Sequence, residues 1–296
     1  MSRLSYEEFL EEIVAELKGM TDKKIIKKPV TKNNGVQMDA VILQTEGEKI
    51  APTIYLNDYY QSYLEGEGLD AIAKCILKLS EQKMEGEFDT EQFMDFERAK
   101  EHILLKVIHA QSNEELLKES PHKIFLDLAV VFYYFLSDEG INGSILIRNE
   151  HRNLWDVSVE ELYNVAIKNT PSELEPEIKD MNTVMSELFK DMPELEDEQF
   201  AEEAPMYVVT NKKKFYGAAC LLYPGLLRTF AEMRKTDFYI LPSSVHEILL
   251  IPFELGEPEE LSAMVCEVNE TQVMPDEILS DHAYVYRRNT DAIEAA

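Results

Sequence analysis

Apolar side chains recur at helical spacing near the start of the chain, at Phe9, Leu10, Ile13, Val14 and Leu17, and predict an amphipathic helix over Ser5–Lys18. Ser5 with Glu8 three positions on is the capping-box pair that begins such a helix. The period then changes to two. Lys24–Thr31 and Val36–Thr45 are rich in β-branched residues and flank Asn33-Asn34-Gly35, residues that tolerate positive φ, so a hairpin is expected. A third strand over Ile50–Leu56 and a helix over Leu69–Leu79 complete an α-β-β-β-α unit, and the apolar-poor stretch Glu81–Gln92 reads as a linker.

The middle of the chain predicts a strand at Ile103–Ile108, a long apolar strand at Phe125–Leu136, and a partner at Ser144–Arg148 across the turn Asp138 to Gly143. A helix follows, opened by a second capping box of Ser158 and Glu161, with Leu162, Val165 and Ala166 on its apolar face. The last part predicts strands at Met206–Thr210, Ala218–Leu222, Phe238–Leu241, Glu247–Phe253 and Ala283–Arg287, with helices at Pro224–Met233 and Pro258–Asn269. Hairpins alternating with helices imply an α+β fold: antiparallel or mixed sheets, helices packed on one face, and two to three subdomains. The expected boundaries are 1–85, 97–170, an acidic connector at 171–204, 205–288 and a tail at 289–296. Asn169-Thr170 and Asn269 with Thr271 each follow a Glu-Glu-Leu helix start, an echo that shared helix-ending chemistry accounts for as well as duplication does.

Charge changes the picture. The 57 acidic and 29 basic residues give a net charge of -28, which repels phosphate backbones and anionic lipid and favours a basic protein partner. Residues 171–204 hold 12 acids against Lys179 and Lys190, a net of -10. Glu194, Glu196, Asp197 and Glu198 form the densest part of that stretch and are the candidate docking residues. Lysines cluster at Lys23, Lys24, Lys27, Lys28 and Lys32 and again at Lys212, Lys213 and Lys214, which reads as protection of exposed sheet edges rather than a nucleic-acid patch. Cys75, Cys220 and Cys266 are odd in number, far apart and flanked by apolar residues, so buried free thiols in a reducing cytosol are expected. No apolar run reaches the roughly 20 residues that span a bilayer.

Candidate chemistry is sparse. Ser243, Ser244, His246 and Glu247 put hydroxyls, an imidazole and a carboxylate within five residues, and these are the candidate catalytic groups of a hydrolase or metal-dependent enzyme. Neighbours on a strand point to opposite faces, and a turn built by Pro242 and the two serines explains the same residues structurally. His109, His122, Asp127 and His151 are the types that ligate a divalent metal, though their spacing matches no ligand motif. Cys220 lacks a nucleophile elbow. The chain has no glycine-rich phosphate loop among its 11 glycines, so no nucleotide cofactor is implied.

Pro121-His-Lys-Ile-Phe-Leu-Asp-Leu-Ala-Val-Val131, Asn169-Thr170, Met206-Tyr-Val-Val-Thr-Asn211, Gly217-Ala218-Ala219 and Ile240-Leu-Pro-Ser-Ser-Val-His-Glu247, taken in order, resemble the domain-of-unknown-function family 5688 of Clostridia and their relatives. The order of the last elements is similar, more loosely, to a second uncharacterised Firmicutes family, named after the gene ytpQ. Neither resemblance implies an activity, a ligand or a catalytic residue; both imply a cytoplasmic bacterial protein. The leading reading is a non-enzymatic macromolecular interaction protein with an acidic surface; the alternatives are the hydrolase or metal-dependent enzyme and an acidic mimic of nucleic acid that blocks a DNA-binding protein.

Overall fold

The computed structural model describes residues 3–45, 51–81, 89–138, 141–188 and 205–296. The chain forms two compact units, one from 1–90 with 137–141 and one from 91–136 with 142–296. It is α+β, with antiparallel sheets, and no helix among the described residues is long and apolar enough to cross a membrane.

The first unit opens with α1 (Tyr6–Met20), whose N-terminus carries the expected reciprocal bonds between Ser5 and Glu8. Those bonds hold the Glu8 carboxyl below its ordinary range. Strands β1 (Lys24–Thr31), β2 (Gln37–Gln44) and β3 (Thr53–Tyr55) form a sheet in that order. The turn between the first two has Asn34 at φ 58 and Gly35 at φ 70, as the Asn-Asn-Gly sequence predicts. Helices α2 (Asn57–Glu65), not anticipated, and α3 (Leu69–Glu81) follow. Phe9, Ile13 and Leu17 of α1 meet Ile72 and Ile76 of α3 over Val41, Leu43 and Ile54 of the sheet.

The second unit contains two sheets. It begins with the short helices α4 (Thr90–Met94) and α5 (Phe96–Ala99), then β4 (Ile103–His109), α6 (Glu114–Lys118), β5 (His122–Phe125), β6 (Leu128–Asp138) and β7 (Ile141–Leu146). β4 and β5 flank β6, and β7 also pairs with β6. The long strand expected over Phe125–Leu136 is therefore two strands. Leu126, at φ 56, and Asp127 turn the chain between them, with Phe125 paired to Leu128. Apolarity runs through both strands, so composition could not mark a reversal made by a leucine in the left-handed region.

Helices α7 (Asn149–Trp155) and α8 (Val159–Glu173) come next, and Ser158 and Glu161 make the second capping box as predicted. Helix α8 closes the open edge of β4 with side chains. Thr170 Oγ1 accepts the Leu105 N–H at 3.0 Å, and Asn169 Nδ2 donates to the Lys100 and Ile103 carbonyls at 2.7 and 3.1 Å. Asn269 does a parallel job near the end of its own helix, donating to the Ser280 carbonyl at 2.7 Å.

The described part of the acidic stretch is built into this unit. Residues 171–173 finish α8, Leu174 is fully buried, β8 (Pro176–Asp180) pairs with the later strand β9 (Tyr207–Asn211), and α9 (Met181–Leu188) follows β8. Leu174 and Ile178 alternate with acids that stay solvated, so a high charge count coexists with a strand. Glu194, Glu196, Asp197 and Glu198 lie outside the described residues.

The remaining elements are α10 (Leu226–Arg234), β10 (Phe238–Leu241), β11 (Ile248–Pro252), α11 (Pro258–Thr271), β12 (Tyr284–Arg287) and β13 (Ala292–Ala295). They give a six-stranded sheet of order β13-β12-β10-β11-β9-β8. Tyr239, Leu241 and Ile251 on one face pack under Leu261 and Val265 of α11. On the other face Phe230 of α10 meets Phe238 and Tyr207 at ring distances of 5.2 and 5.0 Å.

Residues 217–222 form a 3-10 turn instead of the expected strand. The reason is steric and polar at once. Tyr216 sits at φ 50, Gly217 lies against Thr210 and the His246 carbonyl, and Ala218 N–H donates to Val245 O. The small residues that look β-compatible in sequence are small because backbone passes beside them.

Candidate functional site

The polar residues that stand out in the sequence are mostly engaged with backbone. Thr210 Oγ1 donates to the His246 carbonyl at 2.8 Å, and Cys220 Sγ to the Thr210 carbonyl at 3.1 Å. Asn211 donates to the Phe215 carbonyl and accepts from the Lys213 and Phe215 N–H groups, which fixes a loop holding two left-handed residues, Lys214 and Tyr216. Ser244 Oγ accepts the His246 N–H at 3.1 Å, the turn role open to it from sequence. Ser243 accepts the Leu279 N–H through its carbonyl.

His246 and Glu247 diverge. The His246 ring stacks on Tyr216 at 5.9 Å and puts Nε2 3.4 Å from Glu277 Oε1, while Glu247 is exposed. His122 places Nδ1 2.9 Å from the Ser120 carbonyl. His151 packs edge-on to Phe93 at 5.1 Å and accepts the Arg148 N–H at Nδ1; burial lowers its pKa from the ordinary 6.5.

Of the eight candidates for catalysis or metal binding, Asp127 and His109 are brought together, and they meet residues not singled out by sequence. Asp127 is carried on the β5-β6 turn, and its backbone carbonyl accepts from Ala110 N at 2.9 Å. Its Oδ2 accepts from Ser280 Oγ at 2.8 Å, and its Oδ1 accepts from the Tyr284 hydroxyl. His282 Nε2 is 3.4 Å and His109 Nε2 3.9 Å from the same Oδ2, and His282 Nδ1 is 2.5 Å from Asp281 Oδ1. Burial first, and then the bond to Asp127, raise the Tyr284 pKa, so the phenol stays a donor.

The tautomer of His109 follows from its other nitrogen. Nδ1 lies 2.7 Å from Ser112 Oγ and accepts the Ser112 N–H at 3.4 Å, which leaves Nε2 as the donor side, toward Asp127. Both Asp127 oxygens accept hydroxyl donors, from Ser280 and Tyr284. Among the described residues no group of three or more His, Cys, Asp or Glu side chains is arranged to hold a metal ion. The chemistry of this hub is therefore that of a hydrogen-bonded fastener. It ties the end of β4, the β5-β6 turn and the start of β12 with the segment before it, and its Tyr284–Asp127 bond alone spans 157 residues. Its sequence signal was weak: Ser280, His282 and Tyr284 alternate before and into the last predicted strand without forming a motif.

The cysteines separate by position. Cys220 is buried, and burial pushes its thiol up to about 12. Cys75 and Cys266 are exposed, contrary to expectation. Their apolar sequence neighbours, Ile72, Ala73 and Ile76 in α3 and Leu261 and Val265 in α11, occupy the buried faces of those helices, and adjacency along a helix does not mean a shared face.

The second lysine cluster contributes two ion pairs. Lys212 pairs with Glu175 at 2.7 Å and Lys213 with Glu173 at 2.5 Å, while Lys24, Lys27 and Lys28 lie on the outer strand β1. The second unit also carries a shallow depression of about 370 Å³, whose wall includes Phe125, Leu222, Leu227, Tyr286 and Ile293.

No curated protein and no solved structure matches the chain. One family profile does, over residues 6–288, and is described as a family of unknown function, DUF5688. Spanning nearly all of both units, that match makes the chain a member of the DUF5688 family.

Proposed function

We propose that this chain is a non-enzymatic cytoplasmic protein that acts by binding a basic protein partner through its acidic surface. The observation that carries this reading is the charge left over after internal pairing. Cations of the second unit are taken up by carboxylates, as in Lys212–Glu175, Lys213–Glu173, Lys179–Glu187, Arg228–Glu232 and Arg287–Asp237, and the net charge is still -28. A field of one sign steers a partner of the other and repels duplex DNA. Two further observations support it: the polar motif residues serve the fold's own backbone, and the three cysteines are free thiols, as suits a reducing compartment.

The test is capture from a cell extract on the immobilised full chain across a salt series. Retained proteins should be basic and should elute as salt approaches 1 M, where the Debye length falls to about 3 Å. Neutralising Glu194, Glu196, Asp197 and Glu198 to the amides should slow association. Retention unchanged by salt, or a gel shift of duplex DNA by the chain alone, overturns the reading.

A further inference from the structure

The depression on the second unit is bordered by two strands that are outermost in their sheets. Phe125 belongs to β5, the last strand of the four-stranded sheet, and Ala292 and Ile293 belong to β13, the last of the six-stranded one. An outer strand presents N–H and C=O groups along its free side, and proteins commonly blunt such edges with lysine or proline. Two other outer strands have that protection: β1 carries Lys24, Lys27, Lys28 and Pro29, and β8 carries Pro176 and Lys179. β13 reads Ala-Ile-Glu-Ala and has neither.

The side chains beside this edge are apolar toward the depression and acidic along the rim. Ile293 is paired with Tyr286, so both face the same side, and both line the hollow with Leu222 and Leu227. Ile124, 61% exposed, and Leu126 flank Phe125 along the chain. Glu294 is exposed on β13 itself, while Asp291, just before the strand, lines the hollow and accepts the Tyr286 hydroxyl at 2.6 Å. The one cation of the lining, Arg228, is held by Glu232 at 3.1 Å and lies 3.7 Å from Asp291.

We propose that β13 accepts an extended segment of the basic partner as a seventh strand of the sheet, with apolar side chains at alternate positions entering the depression and Lys or Arg between them facing Glu294. Strand addition of this kind takes affinity from main-chain hydrogen bonds and specificity from pockets for alternate residues. The inference rests on the basic-partner reading and adds where and in what conformation the partner binds.

The experiment uses the full chain and a labelled nonapeptide alternating Lys with Val, acetylated and amidated, in fluorescence anisotropy. Saturable binding is expected. It should weaken about fivefold in Glu294→Lys, which reverses an exposed rim charge, and about tenfold when alternate peptide nitrogens are methylated and ladder bonds are lost. Circular dichroism of Glu294→Lys should match the parent. If the methylated peptide binds as tightly as its parent, strand addition is wrong while the basic-partner reading stands. If a Glu-Val peptide binds as well as the Lys-Val one, the basic-partner reading fails instead. Dimerisation of the chain at assay concentration that the peptide does not disrupt would assign the β13 edge to a second copy and overturn the proposal.

Discussion

Ser280 Oγ donates a 2.8 Å hydrogen bond to Asp127 Oδ2 across 153 residues of sequence, and the Tyr284 hydroxyl engages the other oxygen of the same carboxylate. Replacing Asp127 with Ala leaves the Tyr284 hydroxyl without its acceptor in a residue that is fully buried. A hydrogen bond to a charged group contributes about 1.5–3 kcal/mol, so Asp127→Ala should cost about 3 kcal/mol in denaturant unfolding. Asp127→Asn, which keeps one oxygen, should cost less. In the Tyr284→Phe background the cost of Asp127→Ala should shrink; a loss under about 0.5 kcal/mol for the single variant would remove the fastener role.

Gly217 has no room for a side chain. A Cβ there would stand 2.1 Å from Thr210 Oγ1 and 2.3 Å from the His246 carbonyl oxygen. Since the second contact is backbone, relief requires moving β9 from the segment before β11, and overpacking typically costs 1–3 kcal/mol and occasionally more. Gly217→Ala should therefore destabilise by about 3 kcal/mol, read as a fall in Tm. Adding Thr210→Ser, which keeps the hydroxyl, should restore little. A Gly217→Ala protein as stable as the parent would contradict the placement of the 217–222 turn.

Acid sensitivity should trace in part to His151. Burial lowers its pKa from 6.5, so the folded state favours the neutral ring, whose Nδ1 accepts the Arg148 N–H. The contribution is complete above the unfolded value of 6.5 and is lost as pH falls through the lower folded value. Because the ring is only partly buried, solvent screening keeps the effect small. Between pH 7.5 and 5.5, His151→Phe, which keeps an aromatic ring beside Phe93, should lose less stability than the parent. Equal losses would show that the ring does not titrate with folding.

Thiol chemistry offers a quick check of burial. Cys75 and Cys266 are exposed, whereas the Cys220 thiol is buried, donates to the Thr210 carbonyl and is pushed up to about 12. The thiolate is the reactive form. Two thiols should label rapidly under native conditions and the third only on unfolding, with peptide mapping assigning the slow one to Cys220. Rapid labelling of all three would reopen Cys220 as a nucleophile.

Much was decided by the sequence itself. Both serine capping boxes, the Asn33-Asn34-Gly35 hairpin and the strands β4, β9, β10, β11 and β12 follow from periodicity and local hydrogen-bond chemistry, which act within a few residues and are written in order along the chain. So is the -28 charge. Tertiary structure alone decided where the long apolar run breaks, at a turn holding Leu126 at φ 56, and that residues 217–222 coil where small residues admit neighbouring backbone. It also decided that the acidic residues 176–180 enter a sheet and that Asp127 meets Ser280, His282 and Tyr284. For the 217–222 turn, the β8 pairing and the Asp127 contacts a deciding group lies tens to more than a hundred residues away, so a local pattern has no means of registering the contact that sets the conformation.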